Sequence, residues 1–403
     1  MNYTQNDKIM SITEQTLVVG VDIAKKVHYA RAFDYRGIEL GKVFKFENTR
    51  EGLKSFRDWM VALEKKEHKS SSVVGMEPTG HYWLNLGHFL KDQEIRLVLV
   101  NPFHVKRSKE LDDNTPSKSD SKDPKTIAKL MIDGRYSEPY IPEGVYSELR
   151  TVMNLRDSIS KSLIRIKNQV IRWLDQYFPE FMVVFKDWEG KAALMTLREF
   201  PTPDKIVSMG IDGVVTTWKR DISRGVGVKR ATQLVKVAKG SIGIREGLRM
   251  AEKELSMLLG QYDLYKEQLA EVEHEMEKLA LQIPGVQEML TIKGVGITTA
   301  AGFMAEVGDV SRFSHPKQIQ KLAGLNLVEN SSGKHKGNTT ISKRGRSRLR
   351  AVLFRAVMPL VSKNEEFKAL HNHYTTRREN PLKKMQSLKR YFNVIYTNIF
   401  IEQ

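Results

Sequence analysis

Four carboxylates stand where they could gather for chemistry. Asp22 closes the apolar run "LVVGVD" and Glu77 closes "SVVGME", while Asp120 and Asp123 lie in "KSDSKDPKTIAKL" at the start of a helical pattern. A spacing of three puts the last two on one helical face. Acids at the carboxyl ends of strands converge on the open edge of an α/β sheet. Three or four such groups repel one another unless a hard cation holds them, and Mg²⁺, liganded by oxygen, suits that donor set. Ions held this way activate an attacking oxygen and stabilise a leaving oxygen in phosphoryl transfer. Each acid also has a plainer role open to it. Asp123 before Pro124 could be a helix N-cap, Asp120 could favour the positive end of the helix, and Asp22 could begin a turn. The set of four is the stronger argument.

A second group lies far downstream, in "SSGKHKGNTTISKRGRSRLR", residues 331–350. It opens on Ser331, Ser332 and Gly333, and its basic run Lys343, Arg344, Arg346, Arg348 and Arg350 contains no acid. A serine hydroxyl is a weak nucleophile until a base or a metal activates it, and His335 is the one histidine in the segment. The basic run could clamp nucleic-acid phosphates or form a solvated helix face.

Composition narrows the partners. The net charge is +17, and from Ser331 to Gln403 there are 16 Lys/Arg against 4 Asp/Glu, which concentrates a net +12 in that stretch. Such a surface points to nucleic acid, because each neutralised phosphate releases counterions. With no cysteine, disulfides and thiolate zinc sites are excluded. No apolar run reaches the roughly 18–20 residues of a membrane helix, and "MNYTQNDKIMSITEQ" lacks the pattern of a secretory signal. The expectation is a soluble cytoplasmic protein associated with the nucleoid, with no membrane partner.

The elements that must position these groups change along the chain. Residues 16–150 alternate strands and helices, and "EGLKSFRDWMVALEKK" places Leu53, Phe56, Met60 and Leu63 on one helical face. This predicts an α/β sheet domain. Long helices follow. Leu248, Leu255, Tyr262, Leu269 and Met276 recur every seven residues, each followed three residues later by Ala251, Leu258, Tyr265, Val272 or Leu279. That a/d pattern predicts a coiled coil, although an internal helical hairpin would produce it too. Loop signals in "EFPTPDKI" and "SRGVGVKRA" interrupt the helices, and "GVGITTAA" reads as a glycine turn opening a helix. That turn could receive a phosphate or simply join two helices. The predicted domains are 16–150, 151–283 and 284–403, an α/β domain followed by all-α parts.

An Asp after a first strand also opens the actin-like kinase and ATPase fold. There the next turn is small and Gly-, Ser- or Thr-rich, whereas here it is Ala24-Lys25-Lys26. Taken together, "VGVDIAKK", "MEPTGHYW", "KSDSKDPKTIA", "IKGVGITTAAGFMAEVGDVSRF" and "LAGLNLVENSSGKHKGNTTISKRGRSRLRAVL" resemble the DEDD-type insertion-sequence transposases. These are relatives of the Piv DNA invertases, described as bridge-RNA-guided recombinases. The resemblance covers about residues 16–365. It implies an N-terminal RuvC-like (RNase H-fold) domain, a helical coiled-coil linker and a mostly helical C-terminal transposase domain. It also implies that Asp22, Glu77, Asp120 and Asp123 bind Mg²⁺, and that Ser332, directly before Gly333, attacks a DNA phosphate to form a covalent ester. Implied partners are donor and target DNA, a structured noncoding guide RNA, and a homodimer that pairs into a tetramer. Many members have Ala after the last Asp where this chain has Pro124, a change that proline's tolerance at the first helical position allows. Two other functions remain open: a RuvC-like, metal-dependent nuclease that uses water, and a nucleic-acid-binding scaffold with no chemistry.

Overall fold

The computed structural model describes residues 4–78, 80–112, 123–222, 227–328, 331–332, 335–336 and 340–375. The chain divides into two compact units, the first ending at Pro142 and the second beginning at Glu143.

In chain order the first unit contains α1 Gln5–Met10, β1 Thr16–Asp22, β2 Val27–Phe33, β3 Phe44–Glu47, α2 Arg50–Lys66, β4 Ser71–Met76, α3 Trp83–Asp92, β5 Arg96–Val100, α4 Pro102–Asp112, α5 Asp123–Ile132 and β6 Tyr136–Ser137. Among the described residues its sheet has the order β3-β2-β1-β4-β5-β6. The first three strands form an antiparallel meander, β4 and β5 continue parallel to β1, and β6 closes the far edge antiparallel. This mixed α/β unit fits the RuvC-like, RNase H-fold domain that the resemblance implies.

Strand β1 is central, which explains why it reads as an unbroken apolar run: both of its faces are covered. Leu17, Val19 and Val21 face α2 and α3 in one core, and Val18 faces α4 and α5 in another. Helix α2 starts at Thr49, whose hydroxyl accepts the Gly52 N–H at 3.1 Å, and buries Leu53, Phe56, Met60 and Leu63 as its spacing predicts.

One contact sets how closely α5 can lie on the sheet. A Cβ built on Gly20 would fall on the Pro124 carbonyl and within 3.1 Å of the Ala128 nitrogen, and one on Gly75 would fall on the Met131 side chain. These two strand glycines let the helix backbone approach the sheet directly. Gly20→Ala is therefore expected to push α5 off β1 and lower stability by about 1–3 kcal/mol, the usual cost of overpacking. Urea denaturation followed by circular dichroism measures it, and an unchanged midpoint would contradict this packing.

The second unit contains α6 Gly144–Tyr177, α7 Phe181–Val184, α8 Lys191–Glu199, α9 Pro203–Lys219, α10 Val228–Lys239, α11 Leu248–Ala280, α12 Val286–Thr291, α13 Ile297–Val307 and α14 Pro316–Leu322. Four two-residue strands follow, β7 Leu327–Val328, β8 Ser331–Ser332, β9 His335–Lys336 and β10 Thr340–Ile341, then α15 Ser347–Lys363 and α16 Glu365–Thr375. Helices α6 and α11 run antiparallel. Trp173 Nε1 donates to the Ala251 carbonyl at 2.8 Å towards one end, and Arg156 bonds Glu273 at 2.6 Å towards the other.

The heptad positions are thus used within the chain. Ala251, Leu255, Leu258 and Tyr262 join Trp173, Phe181, Phe185 and Trp218 in a helical core built from α6 to α11. Tyr262 also donates to Glu189 at 2.6 Å. At the other end, Met276 and Ala280 meet Leu149, Met153, α13 and α15 in a second core. Of the two arrangements that produce such a pattern, the structure contains the internal hairpin, so the heptads need no second copy. The described part of the segment between α6 and α11 is itself a packed lobe, and residues 223–226 of "SRGVGVKRA" lie outside the described residues.

Candidate active site

The first unit places two of the predicted acids by a repeat within the sheet. Strands β1 and β4 are parallel and paired Val18 with Val73, Val19 with Val74, Gly20 with Gly75, and Val21 with Met76. "VVGVD" and "VVGME" therefore lie side by side in step, so that Asp22 and Glu77 are the next residues along neighbouring strands. Adjacent strands are about 4.8 Å apart. Side chains alternate along a strand, so Asp22 shares a face with Gly20 and Val18, and Glu77 with Gly75 and Val73. That is the face against which α5 packs.

Asp123 is the first residue of α5. With Pro124 seated over Gly20, two positions before Asp22, the start of α5 is held at the same edge as the two strand-end acids. All three acids are partly exposed. Asp120 lies outside the described residues. Among the described residues no group of three or more His, Asp or Glu is drawn tightly enough to cage a metal ion. The edge thus carries three of the four predicted carboxylates in an open arrangement. Their oxygens suit a hard divalent cation, and like charges on adjacent strands favour one.

The turn after Asp22 is held from the neighbouring strands. Buried His28 accepts the Ala24 N–H through Nδ1 at 3.2 Å, and the Asn48 N–H bonds the Lys26 carbonyl at 2.8 Å. Burial pushes the His28 pKa below the ordinary histidine value, against an upward pull from the Asn48 side chain, so the ring stays neutral and its Nδ1 stays an acceptor.

In the second unit, β7 pairs with β10 and β8 with β9, both antiparallel. Ser332 pairs in backbone register with His335, and the side chains of both lie outside the described residues. The base of this excursion is stitched to "LAGLN": Ser342 N–H bonds the Asn326 carbonyl at 2.7 Å, Lys343 N–H bonds that of Gly324 at 2.9 Å, and Arg346 N–H bonds that of Leu322 at 2.7 Å.

The five predicted phosphate-binding residues divide. Lys343, Arg344 and Arg348 are exposed. Arg346 bonds the Glu306 carbonyl at 3.0 Å and its carboxylate at 3.3 Å, and Arg350 bonds the Ala323 carbonyl at 2.8 Å. Those two hold the domain together. The glycine turn "GVG" also has a packing role. Gly294 adopts φ 104°, and a Cβ there would press within 2.7 Å of the Pro359 carbonyl on α15. No described helix is long and apolar enough to cross a membrane.

Sequence reasoning missed Gly20 and Gly75, although the repeated "VVG" before each acid was a signal for them. Comparison with known proteins supplies the family. A DEDD-type transposase model matches residues 19–179, and a model of the transposase IS116/IS110/IS902 family matches residues 286–372. An uncharacterised protein of insertion element IS116 from Streptomyces clavuligerus is 25% identical over 240 residues, a match that spans 59% of each chain. The transposase for insertion sequence element IS1111A of Coxiella burnetii is 33% identical over 95 residues, covering 24% of this chain and 26% of that one. An uncharacterised protein of IS900 from Mycobacterium paratuberculosis is 25% identical over 174 residues, 43% of each chain. The first model takes in Asp22, Glu77, Asp120 and Asp123, the second takes in Ser332, and together they match more than half of the sequence: the chain belongs to the DEDD-type insertion-sequence transposases of the IS116/IS110/IS902 family.

Proposed function

We propose that the protein is a DNA transposase or recombinase of an insertion sequence. In this reading Asp22, Glu77, Asp120 and Asp123 hold Mg²⁺ and Ser332 is the nucleophile. The observation that carries it is the residue-for-residue register of "VVGVD" with "VVGME", with α5 seated over Gly20. An ion bound by these acids would polarise the scissile phosphate and favour the ionised attacking hydroxyl.

The chain's own part is a transesterification. The Ser332 Oγ bonds to phosphorus as one bridging P–O bond breaks, the serine proton passes to solvent, and the leaving sugar oxygen takes up a proton. The ester keeps the phosphodiester bond energy, so a second sugar hydroxyl can displace the serine and reseal a strand. Donor and target DNA are the substrates, and a structured noncoding RNA supplies sequence reading by base pairing. The protein then contacts duplex shape and backbone, with few base-specific side chains. Assembly is a homodimer that pairs into a tetramer, an expectation that rests on the family resemblance.

The test combines purified protein with its RNA, matched DNA and Mg²⁺, followed by denaturing electrophoresis. A DNA-linked protein band is expected, lost on chelation and restored by added Mg²⁺. Cleavage without such a band would make this a water-using nuclease. DNA binding with no cleavage, indifferent to chelation, would make it a scaffold.

A further inference from the structure

The basic run does not act as a unit, because Arg346 and Arg350 turn inward while Arg348 turns to a cavity of about 390 Å³ bordered by α6, α13 and α15. Arg355 stands two turns further along the same face of α15, and Lys161 enters from α6. The floor is tight, since a Cβ on Gly302 would lie 3.0 Å from Val352 and 3.4 Å from Met153.

The charges in the groove do not cancel. Asp157 faces Arg348 Nε at 3.9 Å, Glu306 is held by Arg346, and Arg156 is paired with Glu273. Among the described residues, that leaves Lys161 and Arg355 as surplus cations, both exposed. The side-chain contact of Arg355 is a 3.4 Å approach to the Ala351 carbonyl of its own helix. Ser160 and Ser347 add neutral hydroxyl donors to the lining. Surplus cations beside hydroxyls, with each acid already engaged, match the non-bridging oxygens of a phosphodiester.

We propose that this groove seats the sugar–phosphate backbone of duplex DNA, with Lys161 and Arg355 as phosphate contacts and Arg348 as a third. The inference rests on the reading of the protein as one that acts on DNA. The occupant is DNA because α15 begins directly after the excursion that carries Ser332, which ties the groove by chain continuity to the segment proposed to attack a DNA strand. Lys161 could not be found from the basic run, since it lies on a helix far upstream in sequence.

The experiment measures the affinity of the full chain for a labelled random-sequence 30-base-pair DNA duplex between 50 and 200 mM salt. Lys161→Gln/Arg355→Gln should make the slope of log affinity against log salt less steep by about 1.8, since each lost phosphate contact removes about 0.9. Over that fourfold range the double variant should lose about tenfold less affinity than wild type. Lys219→Gln/Lys239→Gln, which removes two exposed charges from the helical lobe, should leave the slope unchanged. All three proteins should melt at the same temperature. A double variant with the wild-type slope, or a control pair that lowers it equally, overturns the groove while DNA binding itself stands. A loss seen only on an RNA duplex of equal length overturns the choice of DNA. Wild type without salt-dependent DNA binding overturns both the groove and the reading beneath it.

Discussion

Asp22→Asn is expected to reduce DNA strand cleavage at least about a thousandfold while the first unit stays folded. Ion-assisted stabilisation of transition-state charge is worth several kcal/mol, and each 1.36 kcal/mol is a factor of ten. Asn keeps the shape and one oxygen of Asp but not the charge, so the change acts on the ion and not on the packing of β1. The same variant should lose a second property. Divalent ions that bind only the folded state raise its stability, by about 2.7 kcal/mol at a hundred times the dissociation constant. Wild type should therefore melt at higher temperature in Mg²⁺ or Mn²⁺, and Asp22→Asn should not. A variant that cleaves normally, or that keeps the full ion-induced shift, would remove Asp22 from the metal site.

Ser332→Ala should abolish the covalent protein–DNA product, by at least about ten-thousandfold, and leave duplex binding within twofold of wild type. Removal of a catalytic nucleophile costs rates on this scale or greater because the remaining groups have nothing to activate. Ser331→Ala is the matching control and should retain the product. The neighbouring serines pair with different residues, Ser331 with Lys336 and Ser332 with His335, so the two substitutions perturb the same short ladder similarly. A difference between them then reports chemistry and not folding. Cleavage that persists in Ser332→Ala and vanishes in Asp22→Asn would assign the attack to water.

Much of the first unit could be read from sequence because its signals are local. Leu53, Phe56, Met60 and Leu63 fall every third or fourth residue, and α2 buries those four. Asp22 and Glu77 each follow an apolar strand, and the sheet sets them side by side. What could not be read was how α5 approaches, because the clearance between Gly20 and Pro124 depends on residues about a hundred positions apart in sequence. The heptads show a different limit. A seven-residue repeat states that a stripe is buried but not against what, and here Leu255 and Tyr262 are covered by the chain's own helices. The basic run is divided between surface and interior for a third reason. Arg346 precedes α15 with extended backbone and reaches the Glu306 carbonyl, Arg350 on the helix reaches that of Ala323, and Arg348 and Arg355, seven residues apart on one helical face, share the groove. Charge in sequence locates a surface, and only the fold separates the cations that stand exposed from those that bond to the domain's own carbonyls.

In the proposed reaction, carboxylates at the β1–β4 edge serve an attack by Ser332. The most direct measurement digests the DNA-linked product with nuclease and trypsin and maps the modified peptide by mass spectrometry. Cleavage after Lys321 and Lys334 releases residues 322–334, which contain both serines. This peptide is expected to carry a nucleotide remnant, placed on Ser332 by fragmentation, and to be unmodified when Asp22 is Asn. A remnant on Ser331 or on another peptide, or cut DNA with no modified peptide, would contradict that reaction.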